Sequence, residues 1–478
     1  MTPKKIILAV TGLVVLYAIY YCSQVFPIAT GYGAKIMCSG IFVSGRTEKD
    51  IKSEDLNFSP LNLATFTIDL KDSSVTCTLA GLASQKAVYR HGLGATLVND
   101  LSEKKLRAQR FAPGFKEPRI TSPGISDAMQ WPIGDKISVA YPVCVDSLAV
   151  AAAVNKAFTQ HRKAAGGDTS ITNITRALIV LYDGQIVAEK YAAGFTASTK
   201  LTGWSMTKSI TSALIGILVK QNKINIDAPA PVQEWKDAKD PRHKITVKNL
   251  LQQASGLHFE EVYDKSSDAN KMLFIRGDAA AYAASLGLNK APGSDFRYSS
   301  GNTNILSRMI REIVGEKDYH QFPYKQLFHK IGMYNTVLEP DASGTFVGSS
   351  FCYATARDWA RFGLFYLNNG KQKDEQILPE GWVKQSVSPS AAAERGEYGF
   401  QWWLNAGAKN NAGNRIYPDL PTDMFYADGY EGQNVFVIPS KKLVVVRLGL
   451  TRTSHWGESE LLKSVIAAIH EEASPGKR

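Results

Sequence analysis

Cysteine is scarce, with five in 478 residues, and the eight histidines are scattered with no H-x-x-x-H pair. A zinc site needs such ligands at short spacing, so no metal and no other cofactor is expected. So few cysteines also exclude a disulfide-dense scaffold. One pairing stays open for an exported body, Cys38 with Cys77 in the same N-terminal segment, with Cys144 or Cys352 as alternative partners. Dense Lys/Arg stripes interleaved with aromatics are missing too. The net charge is +11, but it is spread out, and we read a solvated basic surface rather than a nucleic-acid interface. There is no internal repeat and no low-complexity tract. Only one long apolar run is present, which argues against a purely structural membrane protein.

That run is Ile6–Cys22, IILAVTGLVVLYAIYYC, preceded by Lys4 and Lys5. Seventeen helical residues rise roughly 25 Å, and Val25 and Phe26 lengthen the run toward a full bilayer crossing. The lysines precede it and no cation follows until Lys35, so the positive-inside bias leaves the N-terminus in the cytoplasm. A cleaved signal peptide is the rival reading, but no A-x-A site follows and Tyr17–Tyr21 is bulky. Ile19-Tyr20-Tyr21 likewise lacks the small residues of a lipid-attachment site, which leaves Cys22 a plain buried thiol. The expectation is a single-pass inner-membrane protein: cytoplasmic tip 1–5, anchor 6–26, accessory segment 27–146 and catalytic body 147–478 in the periplasm.

Residues 27–45 are rich in Gly, Ala and Ser and read as a stalk. Between 46 and 130, short β-like runs occur at Ala64–Leu70 and Val75–Leu79. Pro113, Pro118 and Pro123 argue against regular structure around 103–119. The main body opens with an amphipathic helix over Ser147–His161. ALIVLY, Asp183-Gly184 and QIVAEKY then form a hairpin signal. Helices are expected from Ser205 to Lys220, over most of 245–290, at 303–315 and at 355–370. NVFVIP and LVVVRLGL form a second hairpin around Ser440-Lys441-Lys442, and a last helix covers Ser459–Glu472. Strands at both ends with helices between predict an antiparallel sheet closed by the two chain ends.

The sharpest chemical feature is Gly203-Trp204-Ser205-Met206-Thr207-Lys208. A Ser and a Lys three apart on a helix share a face. Serine is a weak nucleophile that needs an adjacent base, and an amine serves as one only when its surroundings disfavour the charged form. The apolar run Ala213–Val219 suits such burial, and the helix N-terminus offers N–H groups to a developing oxyanion. Taken alone, the spacing also describes an exposed helix pair. A second feature is Tyr298-Ser299-Ser300-Gly301-Asn302. Its tyrosine can relay a proton, and Ser300 can bond Lys208 or a substrate; a plain helix cap at Ser300 or Asn302 is the simpler reading. The third is Ala427-Asp428-Gly429-Tyr430-Glu431-Gly432-Gln433, whose glycines allow close approach of a backbone or substrate.

Together and in this order, the three motifs resemble the penicillin-binding-protein/β-lactamase superfamily of serine hydrolases. Ile245–Leu257, Thr355–Gly363 and Tyr398–Trp403 resemble further segments of that superfamily, and the likeness covers roughly 170–470. It is strongest to the class C β-lactamase-related branch, including 6-aminohexanoate-dimer hydrolases and family VIII esterases. Tyr-x-Ser in place of Tyr-x-Asn, and the late Ser454-His455-Trp456, point the same way. The resemblance implies an α+β fold, a three-layer arrangement with an antiparallel sheet flanked by helices and an all-helical subdomain. It also implies Ser205 as nucleophile, Lys208 as general base, Tyr298 as proton relay, and an oxyanion hole from the N–H groups of Ser205 and Tyr430. Ser300, Asp428 and Gly429 would face the substrate.

One departure matters. Where β-lactamases and transpeptidases carry K-T-G, whose lysine binds a substrate carboxylate, this chain has Ala427-Asp428-Gly429. Ala427 removes the cation and Asp428, in the threonine position, places an acid where an anionic substrate group would sit, which favours small esters or linear amides with a neutral or cationic end over β-lactams or D-Ala peptides. No glutamate in an obvious position offers a separate deacylation base. A cell-wall peptidase or β-lactamase, and a penicillin-binding-like sensor without turnover, are the alternatives. An intact Ser/Lys/Tyr set favours catalysis.

Overall fold

A computed structural model describes residues 2–109, 129–137, 140–159, 173–452 and 455–470. It divides into two compact units: Met1–Arg110 with Phe259–Ala283 and Glu339–Thr345, and Phe111–His258 with Ala284–Leu338 and Phe346–Arg478.

The first unit is built on α1 (Pro3–Phe42) and a four-stranded antiparallel meander, β1 (Thr65–Asp69), β2 (Ser74–Leu79), β3 (Ala83–Arg90) and β4 (Gly94–Leu97). The apolar first half of α1, including Ile6, Leu13 and Tyr20, is exposed and long enough to cross a membrane. The expected stalk over 27–45 is instead the second half of the same helix, buried from Ala29 through Gly40. Its small residues have a packing purpose. A side chain at Gly33 would meet Cys77 and Leu61, one at Gly40 would meet Ile51, and one at Gly31 would meet Phe274. Such absences let a helix lie close against its neighbours.

The buried cation on this helix, Lys35, is ion-paired to Glu339 and donates to the carbonyl of Ala95 at 2.8 Å. Glu339 also accepts from the Ala95 N–H at 2.6 Å and the Ser39 hydroxyl at 3.0 Å, so the pair is hydrogen-bonded on every side. Cys38 and Cys77 do not pair, and all five cysteines are free thiols. Cys77 faces Gly33, whereas Cys38 lies five residues along α1, about 7.5 Å further, against the Ala87 carbonyl. Strands β3 and β4 were not read in the sequence, and Glu103–Ala108 is a helix where irregular chain was expected. The three prolines expected to break structure beyond it lie outside the described residues.

The second unit contains α2 (Ser147–Thr159), β5 (Asn173–Tyr182), β6 (Gln185–Tyr191), α3 (Thr207–Lys220), α4 (Ser300–Val314), α5 (Ala356–Leu367), β7 (Trp403–Leu404), β8 (Phe425–Gly429), β9 (Gln433–Ile438), β10 (Leu443–Thr451) and α6 (Glu458–Ala467). The strands form one antiparallel sheet in the order β7-β8-β9-β10-β5-β6. Its two chain-end hairpins meet where β10 pairs with β5, as the strand pattern predicts. The Asp183-Gly184 turn has positive φ at both residues, the geometry a two-residue hairpin needs.

Both faces of the sheet are covered. Phe436, Ile438, Leu443 and Val445 pack with Val150, Val154, Leu462 and Val465 of α2 and α6. The alternate residues Val435 and Val444 lie against Gly363 of α5. Coverage on both sides is why β9 and β10 read as unbroken apolar runs. Within 245–290 the helical segments are short, Val247–Leu251, Asp268–Phe274 and Ala279–Ser285, with irregular chain between.

Candidate active site

Ser205 lies on a tight turn, Trp204–Met206, that leads into α3. Trp204 takes φ +47°, a conformation that costs a bulky residue energy and persists only when its surroundings enforce it. Here the indole packs edge-on to Tyr430 (centroids 5.7 Å apart) and against Phe351 (6.0 Å), while the Gly203 N–H donates to the Cys352 carbonyl at 2.8 Å. Gly203 itself has no room for a side chain, because the Trp359 ring fills that space. The turn is thereby pinned on both sides, and Ser205 is left partly accessible at its apex.

One turn on, Lys208 is 1% exposed. Its Nζ donates to Ser205 Oγ at 2.9 Å, to Ser300 Oγ at 2.9 Å and to the Ser349 carbonyl at 3.1 Å. It also lies 4.8 Å from the centroid of the Tyr298 ring. Three of the sequence-predicted residues, Ser205, Lys208 and Ser300, are therefore joined by direct hydrogen bonds, and Tyr298 stands beside them. Ser300 is fully buried, so of the two partners open to it, it takes the lysine. Tyr298 is stacked on Trp403 (5.3 Å) and set edge-on to Tyr398 (5.9 Å).

The segment carrying Tyr298 and Ser300 is held by residues whose function the sequence did not disclose. Ser299, rather than Ser300 or Asn302, caps α4 through the Asn302 N–H. Gln253 accepts from the Ser299 N–H (3.2 Å) and from Asn302 Nδ2 (2.9 Å), and donates to Gln401 Oε1 (3.1 Å). Ser255 donates to Asn302 Oδ1 at 2.7 Å. Ile245–Leu257 and Tyr398–Trp403, quoted above for their resemblance, thus serve as a buried polar clamp on the tyrosine loop. A signal existed in those polar residues within apolar runs, but their partners are far off in sequence.

The third motif arrives on β8. A side chain at Gly429 would meet the Gly203 carbonyl, so the strand end lies directly against the serine turn, and Tyr430 follows it. Asp428, Gly429 and Tyr430 line a cavity of about 340 Å³ together with Trp403, Tyr417, His455, Trp456 and Glu458. Asp428 opens to solvent through the cavity. Crowding by these walls and then the Glu458 carboxylate push its acid up to about 7, opposed by a 2.7 Å bond from Asn434 Nδ2 and by the charges of His455 and Lys208.

Glu458, not singled out in the sequence, is part of this cavity. Its Oε1 lies 2.6 Å from His455 Nδ1, and its Oε2 accepts the N–H groups of Trp456 and Gly457 at the start of α6. Ser454, read with His455 and Trp456 as one motif, lies outside the described residues.

The Beta-lactamase family profile matches residues 163–468. The 6-aminohexanoate-dimer hydrolase of Paenarthrobacter ureafaciens is 24% identical over 324 residues, covering 62% of this chain and 79% of that protein. Among solved structures, a Bacillus anthracis protein provisionally assigned as a 6-aminohexanoate-dimer hydrolase is 25% identical, with a TM-score of 0.52 over 63% of this chain and 81% of its own. A family VIII carboxylesterase shares the fold at 15% identity, with a TM-score of 0.52 over 69% of this chain and 98% of its own. With a match to most of the chain and hydrolases among its relatives, this protein belongs to the Beta-lactamase family and is a serine hydrolase.

Proposed function

We propose that this protein is a membrane-anchored, outward-facing hydrolase that cleaves small esters or linear amides through an acyl-enzyme on Ser205. The observation that carries the mechanism is the position of Lys208 Nζ, 2.9 Å from Ser205 Oγ in a buried polar pocket. In its unprotonated form the amine takes the serine proton as Oγ attacks the substrate carbonyl carbon. The oxyanion that develops is met by the N–H groups of Ser205 and Tyr430, a pairing supported by the contact of Gly429 with Gly203. The proton passes through the Tyr298 hydroxyl to the departing alcohol or amine. Water then attacks the acyl-serine, gives up its proton by the same route in reverse, and releases the acid.

Substrate class is argued from the cavity. Asp428 occupies the position from which other members of the superfamily offer a hydroxyl beside a lysine, and aromatic walls surround it. A carboxylate substrate would be repelled there, which weighs against a β-lactamase or cell-wall peptidase. A neutral or ammonium-bearing end fits, since aromatic faces and a carboxylate both attract a cation. The anchor reading rests on the exposed part of α1 that holds the charge-free run Ile6–Cys22.

The test is to mix the full-length protein in detergent with a slowly deacylating p-nitrophenyl ester and follow intact mass. An acyl adduct on Ser205 that appears and decays with turnover supports the scheme. Turnover without any adduct, or an adduct elsewhere, contradicts it.

A further inference from the structure

Within the first unit, the direction of α1 relative to the sheet can be read from three contacts. Phe42 stacks on Tyr89 at 5.4 Å, Cys38 meets the Ala87 carbonyl, and Gly33 faces Cys77, which pairs with Gln85. On the sheet these contacts advance two residues at a time, about 6.6 Å per step. On α1 they advance four and then five residues, about 6.0 and 7.5 Å. Helix and strands keep pace, so their axes run nearly parallel. Three further residues along β2, from Cys77 to Ala80, add about 10 Å. The same distance along α1 leads from Gly33 back to about Phe26, where the apolar run ends.

The loops at that level differ from those at the other end. The β2–β3 turn carries Leu82, 76% exposed, and the segment before β1 carries Leu63, 74% exposed. Thr65 pairs with Thr78, which sets Leu63 beside the same turn. Neither 56–68 nor 73–85 contains a charged residue. The opposite end of the sheet holds Asp69, Lys71 and Asp72 in one turn and Arg90 and His91 at the next. Leu70 is 70% exposed there too, but among charges.

We infer that the two charge-free loops at this end of the first unit are seated on the bilayer surface from which α1 emerges, with Leu63 and Leu82 dipping into the boundary between headgroups and acyl chains. The inference rests on the anchor reading above. Because α1 continues as one helix, through Pro27, into the unit, the loops are kept close to the membrane. Two leucines alone are a weak membrane ligand, but tethering by the anchor makes their contact intramolecular. Loops bearing Asp or Lys would pay desolvation at that depth, which accounts for the asymmetry between the two ends.

The experiment places a fluorescent noncanonical amino acid at Leu63, Leu82, Leu70 or Val14 of the full-length protein in phospholipid vesicles. Quenching is compared for lipids brominated near the headgroup and near the chain end. The inference expects positions 63 and 82 to lose fluorescence with the shallow bromines, position 70 to keep it, and position 14 to be quenched by the deep ones. If position 14 is quenched while 63 and 82 behave like 70, the seating is overturned and the anchor stands. If position 14 is not quenched by either lipid, the anchor reading fails and the seating fails with it.

Discussion

Gly429 packs so closely against the carbonyl of Gly203 that a methyl group in place of its hydrogen would collide with that oxygen. Gly429 stands one residue ahead of Tyr430 and Gly203 two ahead of Ser205, the two residues proposed above to form the oxyanion hole. On that proposal, their contact sets the spacing of the two N–H donors. Gly429→Ala should widen it and lower kcat by about a hundredfold, the scale of one lost oxyanion donor, with a smaller change in KM. Steady-state kinetics on a p-nitrophenyl ester, beside a melting curve, separates this from simple unfolding.

Tyr298 has its aromatic ring clamped by Trp403 and Tyr398, with Lys208 Nζ 4.8 Å from the ring centroid. Tyr298→Phe keeps the ring contacts and removes only the hydroxyl. Loss of a proton relay should reduce kcat by about 10²–10⁴-fold with Tm unchanged. The drop should be steeper for amides than for p-nitrophenyl esters, whose leaving group departs without protonation. Equal losses on both would contradict the relay role.

The cavity walls and then Glu458 disfavour the charge of Asp428 and push its acid up toward about 7. Below that pH it is neutral and gives up its attraction for an ammonium; above it the attraction is present. KM for an ester with an amine-bearing end should therefore rise as pH falls from 8 to 6 and the raised Asp428 acid takes up its proton, while KM for a neutral isostere stays flat. Asp428→Asn should abolish the difference between the two substrates. Parallel pH profiles for both in the parent enzyme would remove Asp428 from substrate selection.

Lys35 and Glu339 form a buried pair in the first unit. Glu339→Gln keeps an acceptor for the Ala95 N–H but leaves a buried ammonium without its counter-charge, and should cost about 3–5 kcal/mol of stability. Adding Lys35→Met removes the stranded charge and should recover most of that loss. Denaturation of the full-length single and double variants in detergent provides the check.

How legible the chain was depends on how local each interaction is. Ser205 and Lys208 sit three residues apart on one helical face, and the Asp183-Gly184 turn joins adjacent strands, so both could be read directly. The second half of α1 could not: Gly31, Gly33 and Gly40 look like flexible linker until Phe274, Cys77 and Ile51 are set against them. β3 contains Lys86 and Arg90, which broke the apolar alternation that would have marked it as a strand. Cys38 and Cys77 share a segment but face different rows of the sheet, a matter of helical phase that spacing along the chain does not convey. Gln253 and Gln401 were visible only as parts of resembling segments, and their bond to each other emerges from the fold.

The central claim, that Ser205 is activated by Lys208, is tested most directly by intact-mass labelling with a fluorophosphonate. The full-length protein is treated beside Ser205→Ala and Lys208→Ala, each first shown to melt like the parent. The account predicts one adduct on Ser205 in the parent, none in Ser205→Ala, and labelling slowed by about 10²-fold or more in Lys208→Ala. A parent that stays unlabelled, or a Lys208→Ala variant that labels as fast as the parent, would contradict it.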